Sequence, residues 1–364
     1  MAKPNLGTYL DSFGVETHEL IATCDPQFVD YGMEEIQDVA PGADALNEVA
    51  PGVLRVIHGL PFEAFAATWT AAPPVFVRHI CPVHVTAPLV GTDADLATLA
   101  QYAGMELAPL LVADMPFSVQ TRLLTEVAYR PLAVNDAVAT IVQDMVGAPL
   151  DVRAPQQVVS VVVIQNAEGQ IEALLGVSTV VQNLSDWAGG VRRFAREEGQ
   201  ISRSEFKLLE ALDVFGIELL PRSTALDLGA SPGGWTRVLR AKELYVTAVD
   251  PGEMDPRLKT DRGIRYKPMT AESYLRNDPD TFDLIVNDMR MDARDSARLI
   301  AQFAPYLYPH GVVIMTLKLP QQHGKRVLDH ALEILHATYT VAGVRQLFHN
   351  RSEVTVILHK RGRA

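Results

Sequence analysis

From residue 201 onward, short apolar runs alternate with stretches of helical spacing. The runs "TALDLG", "LYVTAVD", "IRYKP", "FDLIVND", "GVVIMTLKL", "GVRQLFH" and "EVTVILHK" predict strands. Between them, "GWTRVLRAKEL", "DSARLIAQFAPYL" and "KRVLDHALEILHAT" place apolar residues three and four apart and predict helices. Such alternation predicts a doubly wound α/β domain over residues 201–364, with a terminal β pair. It opens with a helix, "SRSEFKLLEALDVFGI", in which Ser202 and Glu205 have capping-box spacing.

The first half is patterned differently. "THELIATC" and "GVLRVIHG" alternate like strands around the helical "FVDYGMEEIQDVA", and "FEAFAATW" adds a short helix. These predict a small α/β unit over residues 1–70. A second unit, 71–182, is predicted to hold a strand near 76–84, a helix over 93–104, the strand "PFSVQTRLL", a helix over 134–146, and strands "QVVSVVVIQ" and "IEALLGVST". "NLSDWAGGVRRFAREEGQ" predicts a polar linker, 183–200, with a Gly-Gly break.

Composition narrows the classes. The chain has 364 residues, 48% hydrophobic and 21% charged, as in a globular protein of two or three domains. No apolar run reaches the length of a membrane span, and "MAKPNLGTYLDSFGVE" lacks the basic start and apolar block of a signal peptide. Cys24 and Cys81 cannot make a disulfide framework. A cytoplasmic enzyme is the expectation. The net charge of −12 is uneven: residues 1–200 carry 9 Lys+Arg against 24 Asp+Glu, and the remainder 23 against 20. Only the second half could supply the basic footprint of a nucleic-acid binder.

Candidate chemistry centres on "ALDLGASPGGWTRVL". Asp227 ends an apolar run, and Gly229, Gly233 and Gly234 leave bare backbone that a ligand can approach. The next strand ends in Asp250, where a ribose hydroxyl pair is commonly gripped. The nicotinamide fingerprint G-x-G-x-x-G fails, because Ser231 stands where its second glycine would fall. An acidic, glycine-lined loop suits the sulfonium of S-adenosylmethionine better; a tight turn without a ligand is the plain alternative. Four further residues fall where such a sheet gathers its strand ends: Lys207 on the preceding helix, Asp288 after "FDLIVN", Lys318 in "TLKLP" and Glu353 opening the last strand. Singly, each suits a solvated strand end.

"DLGASPGGWT" followed by this Lys, Asp, Lys, Glu order resembles the FtsJ-type ribose 2′-O-methyltransferases. "SRSEFKLLEA", "VDPGEM", "TLKLP" and "QLFHNRSEVTV" look closer still to the RlmM-type enzymes of that group. "VFVRH", "PFSVQTR" and "NLSDWAGGVRRF" resemble the ferredoxin-like and THUMP regions that precede their catalytic domain. The resemblance implies a Rossmann-like S-adenosylmethionine-dependent methyltransferase domain behind a ferredoxin-like/THUMP-like α+β half. Its substrate would be RNA, a cytidine ribose of 23S ribosomal RNA, with no membrane and no metal. It implies cofactor contacts from Ser204, Ser231, Pro232, Gly233, Gly234 and Trp235, with Asp250 on the ribose and Asp288 beside the methionine part. Asp227 and Gly229 complete the loop. The family's acidic residue near adenine is missing: "KPMTAESY" has Thr270 and Ala271 there, with Glu272 just beyond.

Lys318 is the candidate base. Free lysine, with a pKa near 10.4, is neutral in only about one molecule in a thousand near pH 7.4. A second cation, Lys207, and desolvation would favour the neutral amine. Bringing it to working pH takes about 4 kcal/mol, and full pairing with Asp288 and Glu353 would oppose it. "RHICPVH" groups His79, Cys81 and His84, but strand alternation sends His84 to the other face, so no zinc site is expected. Arg345 and Arg351 flank the expected rim. Arg192, Arg193 and Arg196 in the linker, and Lys360, Arg361 and Arg363 at the end, are solvated positions with phosphate contact as the second reading. Three rivals stand: a methyltransferase acting on tRNA or a small molecule, a non-catalytic binding protein of this fold, and, more distantly, a nicotinamide dehydrogenase.

Overall fold

A βαββαβ run forms the first sheet of the computed structural model, which describes residues 16–195, 198–277 and 279–361. Its elements are β1 (Glu19–Thr23), α1 (Val29–Val39), β2 (Ala45–Ala50), β3 (Val53–Ile57), α2 (Phe62–Ala71) and β4 (His79–Pro82). The order β2-β3-β1-β4, antiparallel throughout, is the ferredoxin-like connectivity. Leu20, Ala22, Leu54 and Val56 bury one face against Phe62, Phe65 and Trp69 of α2 and Ile36 of α1.

The second sheet holds β5 (Val85–Leu89), β6 (Phe117–Leu123), β7 (Gln157–Gln165) and β8 (Ile171–Thr179), in the order β5-β8-β7-β6. Helices α3 (Asp95–Tyr102) and α4 (Pro131–Val146) cover one face. Of the strand expected near 76–84, residues 79–82 form β4 of the first sheet, and a further strand, β5, begins in the second sheet at Val85, just past the expected end. His79 pairs with Thr23 of the first, Val85 with Leu175 of the second. The first sheet consequently runs past residue 70 to Pro82. The corner is tight: a Cβ on Gly176 would lie 2.0 Å from the Pro82 carbonyl oxygen. The expected polar linker is also partly structure. Ile80 N donates to Asn183 O, and Gly189, at φ +61, packs against Arg122. The chain divides into two units at Val191 and Arg192.

In the second unit the central strands are buried at nearly every position, as in a sheet covered on both faces. They are β9 (Thr224–Leu228), β10 (Tyr245–Val249), β11 (Ile264–Lys267), β12 (Phe282–Asn287), β13 (Leu307–Lys318), β14 (Tyr339–Arg345) and β15 (Glu353–Lys360). The order is β11-β10-β9-β12-β13-β15-β14; β15 alone is antiparallel to its neighbours. Helix α5 (Glu205–Val214) precedes the sheet; α6 (Gly234–Ala241), α7 (Ala271–Leu275), α8 (Ala293–Gln302) and α9 (Gly324–His336) follow within it. Strand order reverses between β9 and β12, so a crevice opens at their carboxyl ends. Helix α5 begins at Glu205 rather than Ser202. Half of the expected capping box forms: the Glu205 carboxylate accepts from Ile201 N at 2.6 Å and Ser202 N at 3.2 Å.

Candidate active site

The crevice holds a cavity of about 1010 Å³. Lys207, Asp288, Lys318 and Glu353 all line it. Register explains part of this: in the antiparallel β13–β15 pair, Lys318 stands opposite Glu353. Asp288 follows the last residue of β12 on one side, and α5 lowers Lys207 from above the sheet.

The four charges form a closed ring. Lys207 Nζ donates to both Asp288 oxygens, at 3.2 and 3.1 Å, and forms an ion pair 2.5 Å from Glu353 Oε1. Lys318 Nζ donates to Asp288 Oδ1 at 2.6 Å, to Thr316 Oγ1 at 2.9 Å and to Glu353 Oε2. The Thr316 hydroxyl in turn donates to Asp288 Oδ1 at 2.7 Å. Nothing in the sequence singled out Thr316; its only signal is its position two residues before Lys318, on the same strand face. The side chains are 5% exposed at Glu353, 15% at Asp288, 16% at Lys207 and 24% at Lys318. At such burial, two ammoniums matched by two carboxylates leave no uncompensated charge.

Burial alone would raise the Asp288 pKa, but the Lys318 and Lys207 charges hold it below the ordinary carboxylate value. Burial would likewise lower Lys207, and Asp288 and Glu353 together hold it above the ordinary lysine value. From sequence, Lys207 is expected to favour the neutral amine of Lys318 as a like charge, with Asp288 and Glu353 orienting both lysines and the cofactor rather than pairing fully with Lys318. In the structure both carboxylates bridge both amines, and the three N–H groups of Lys318 are all engaged.

The glycine loop forms the adjoining wall. Gly229, Ser231, Gly234 and Trp235 line the cavity with Ser204, Asp250 and Thr270; Asp227, Pro232 and Gly233 do not. Asp227 is 1% exposed behind the loop, where it accepts from Thr236 Oγ1 at 2.6 Å and braces α6. Burial pushes its pKa up to about 7, and the Asp288 and Asp250 charges add to this. Gly233, at φ +114, shapes the turn: a Cβ there would lie 2.2 Å from Leu258 Cδ1. The Asp250 carboxylate accepts from Gly252 N at 2.6 Å and Ser231 N at 3.2 Å, which aims it at the cavity. Trp235 packs beneath the loop, 3% exposed, and donates from Nε1 to Ser204 O at 2.8 Å. Thr270 caps α7, accepting from Ser273 N at 3.2 Å, while Ala271 and Glu272 also line the wall.

Arg203, Arg290 and Arg351 are exposed on the cavity rim, and His349 lines it as well. Of these, only Arg351 was legible as a rim residue in the sequence. Its companion Arg345 is 7% exposed at the end of β14 and off the cavity, because alternation turns it inward. Arg192 pairs with Asp213, Arg193 is exposed, and Arg196 and Arg363 lie outside the described residues. His79 and Cys81 are buried, and burial holds the His79 pKa near 3. Among the described residues no group of three or more His, Cys, Asp or Glu could hold a metal, and no helix is long and apolar enough to cross a membrane.

Sheet order, glycine loop and strand-end acid define a Rossmann-like methyltransferase unit. Residues 200–360 match the family model of the FtsJ-like methyltransferases, and S-adenosylmethionine is the cofactor of such a unit. Among curated proteins, the chain is 36% identical over 174 residues to "Ribosomal RNA large subunit methyltransferase M" of Halorhodospira halophila, covering 47% of this chain and 50% of that one. The protein of the same name from Alkalilimnicola ehrlichii is 33% identical over 179 residues, 47% of this chain and 49% of that one. The chain spans about half the length of the curated relatives it matches. TrmN from Thermus thermophilus, a solved structure, is similar with a TM-score of 0.41 and 20% identity, over 94% of this chain and 99% of that one.

The residues present fit that cofactor. The cavity has room for an adenosyl group and a second molecule. A fixed carboxylate, Asp250, faces it next to backbone carrying no side chain at Gly229 and Gly234.

Proposed function

We propose that the protein methylates a ribose 2′-hydroxyl of RNA, a cytidine of large-subunit (23S) ribosomal RNA. The observation that carries this is the closed ring of Lys207, Asp288, Lys318 and Glu353 in the same cavity as the glycine loop and Asp250. The name shared by the matched relatives supports the choice of RNA. S-adenosylmethionine supplies an electrophilic methyl group and a leaving thioether when bound.

The chain's own residues do the rest. Asp250 holds the cofactor's ribose, and Ser204, Ser231, Gly234, Trp235 and Thr270 shape the wall around it. Asp227, Pro232 and Gly233 set the loop from behind. A ribose hydroxyl is a poor nucleophile, so orientation and proton removal both matter. Lys318 Nζ takes the hydroxyl proton. Lys207, Asp288 and Glu353 hold Lys318 in place, and Thr316 shares Asp288 with it. The rim arginines meet phosphate, and the acidic N-terminal unit, ferredoxin-like and THUMP-like, works in the cytoplasm by shape rather than by charge.

The test is methyl transfer from labelled cofactor to total RNA, with nucleotide-resolution mapping of 2′-O-methyl groups in cells with and without the gene. Loss of one ribosomal cytidine methyl is expected. An altered tRNA, or label only on small molecules, would replace the substrate; no transfer at all would sink the enzymatic reading.

A further inference from the structure

One residue lining the cavity, His349, belongs to a cluster of aromatic rings. His349, in the loop between β14 and β15, lines the cavity together with Lys207 and Lys318. Its ring is backed by others. Phe206, the neighbour of Lys207 on α5, lies 5.1 Å away at 37°, and Phe194 lies 5.5 Å away at 35°. Phe194 and Phe206 are stacked on each other, 5.8 Å apart at 12°. Phe348 meets His349 edge-on at 5.1 Å and 72°. The loop backbone is pinned too. Glu210, 2% exposed and one turn beyond Phe206, accepts from Phe348 N at 2.9 Å and from His349 N at 2.8 Å.

A ring packed against other rings, with its backbone held by a buried carboxylate, is a well-supported surface. The proposed reaction needs such a surface close to the lysines. A ribose offers no flat face by which to fix its 2′-hydroxyl, whereas the base joined to it does. Stacking that base orients the sugar at little entropic cost.

We propose that His349 is the platform on which the base of the methylated nucleotide stacks, with Phe206 and Phe194 supporting the ring and Glu210 fixing the loop. This rests on the RNA reading above. The role is binding through the π-face: the imidazole is neither acid nor base. Stacking tolerates any base, so the platform sets the ribose position and leaves base identity to other contacts.

The test is steady-state kinetics of the full chain with RNA from cells lacking the gene, together with calorimetric titration of S-adenosylmethionine. His349→Ala and the volume-keeping His349→Leu are expected to raise KM for RNA roughly 5- to 150-fold, the worth of one base–aromatic stack. Cofactor affinity should be unchanged in both. His349→Phe should stay within about threefold of wild type, because it keeps the flat face. With active wild type, an unchanged KM in the Ala and Leu variants overturns the inference alone. So does a Phe variant as poor as Ala, which would point to imidazole chemistry, or an equal loss of cofactor affinity, which would mean a packing role. Wild-type protein that methylates no RNA overturns the proposed function and this inference with it.

Discussion

Replacing Lys318 by Arg keeps a cation in the ring and removes the base. Lys318 Nζ donates to Asp288, Glu353 and Thr316. A guanidinium has five N–H donors and can serve both carboxylates, but it does not give up its proton at any working pH. The ring stays neutral overall, Asp288 stays ionised, and cofactor binding is expected to change little. What goes is proton removal from the hydroxyl. General-base catalysis is worth ~10²–10⁴ in rate, or about 3–5 kcal/mol of barrier. Lys318→Ala differs in kind: it leaves Asp288 and Glu353 facing Lys207 alone, a net negative ring of mostly buried side chains. Removing one partner of a buried ion pair costs about 3–5 kcal/mol, less here because Lys318 is 24% exposed. The Ala variant should therefore lose stability and turnover together, and the Arg variant turnover only. Single-turnover transfer from labelled cofactor to RNA, beside thermal unfolding and cofactor titration, separates the two. An Arg variant that keeps its single-turnover rate within about threefold of wild type would refute Lys318 as the base.

Asp227 makes stability pH-dependent. Its folded pKa of about 7 lies above its unfolded value near 4, so the folded state holds a proton that the unfolded state releases; stability is full below about pH 4 and falls by about 4 kcal/mol as pH rises through 7. Asp227→Asn keeps an acceptor for Thr236 and removes that slope, so urea unfolding at pH 5 and pH 8 should show wild type losing ground to the variant; an equal gap at both would rule out the buried proton. Converting Arg203, Arg290 and Arg351 to Gln should weaken RNA binding and flatten its dependence on log salt by roughly 0.7 for each phosphate no longer neutralised, and an unchanged slope would remove the rim from the RNA footprint.

Local pattern was enough for the second unit's strands, since parallel strands buried on both faces are near-continuous apolar runs with glycine or acidic ends. "TALDLG" and "FDLIVND" carry both signals, and the structure puts Thr224–Leu228 and Phe282–Asn287 side by side. Asp288, Lys318 and Glu353 could be gathered because each closes or opens such a strand, and Lys207 because it lies on the helix that precedes the first one. Depth was not legible. Asp227 and Asp250 both stand at strand ends next to glycine, yet Asp227 turns inward to Thr236 and Asp250 towards the cavity. The break between Pro82 and Val85 was hidden as well: the apolar run continues through it, and only the pairing partners, Leu20 and Leu175, reveal a change of sheet. Arg203 and His349 fall within the expected helix "SRSEFKLLEALDVFGI" and the expected strand "GVRQLFH", but the observed elements begin at Glu205 and end at Arg345, which leaves both residues on loops; Arg290 lies on a loop without periodicity.

Helix α5 ties together the ring, the glycine-loop helix and the loop that carries His349. Three of its polar side chains point to three different partners. Glu205, 1% exposed, holds the backbone at Ile201 and Ser202 and pairs with Arg237 of α6 at 3.1 Å. Lys207 closes the charged ring through Asp288 and Glu353. Glu210 fixes the loop that carries His349. Buried carboxylates cost free energy unless their oxygens are fully used, and here each is satisfied by backbone N–H groups or an arginine. The apolar face of the same helix, with Leu208, Ala211 and Leu212, is anchored in the domain core. A shift of α5 would therefore move the lysine, the cofactor loop and the His349 loop together, and such a shared support maintains in-line geometry across residues as far apart in the chain as Lys207 and Glu353.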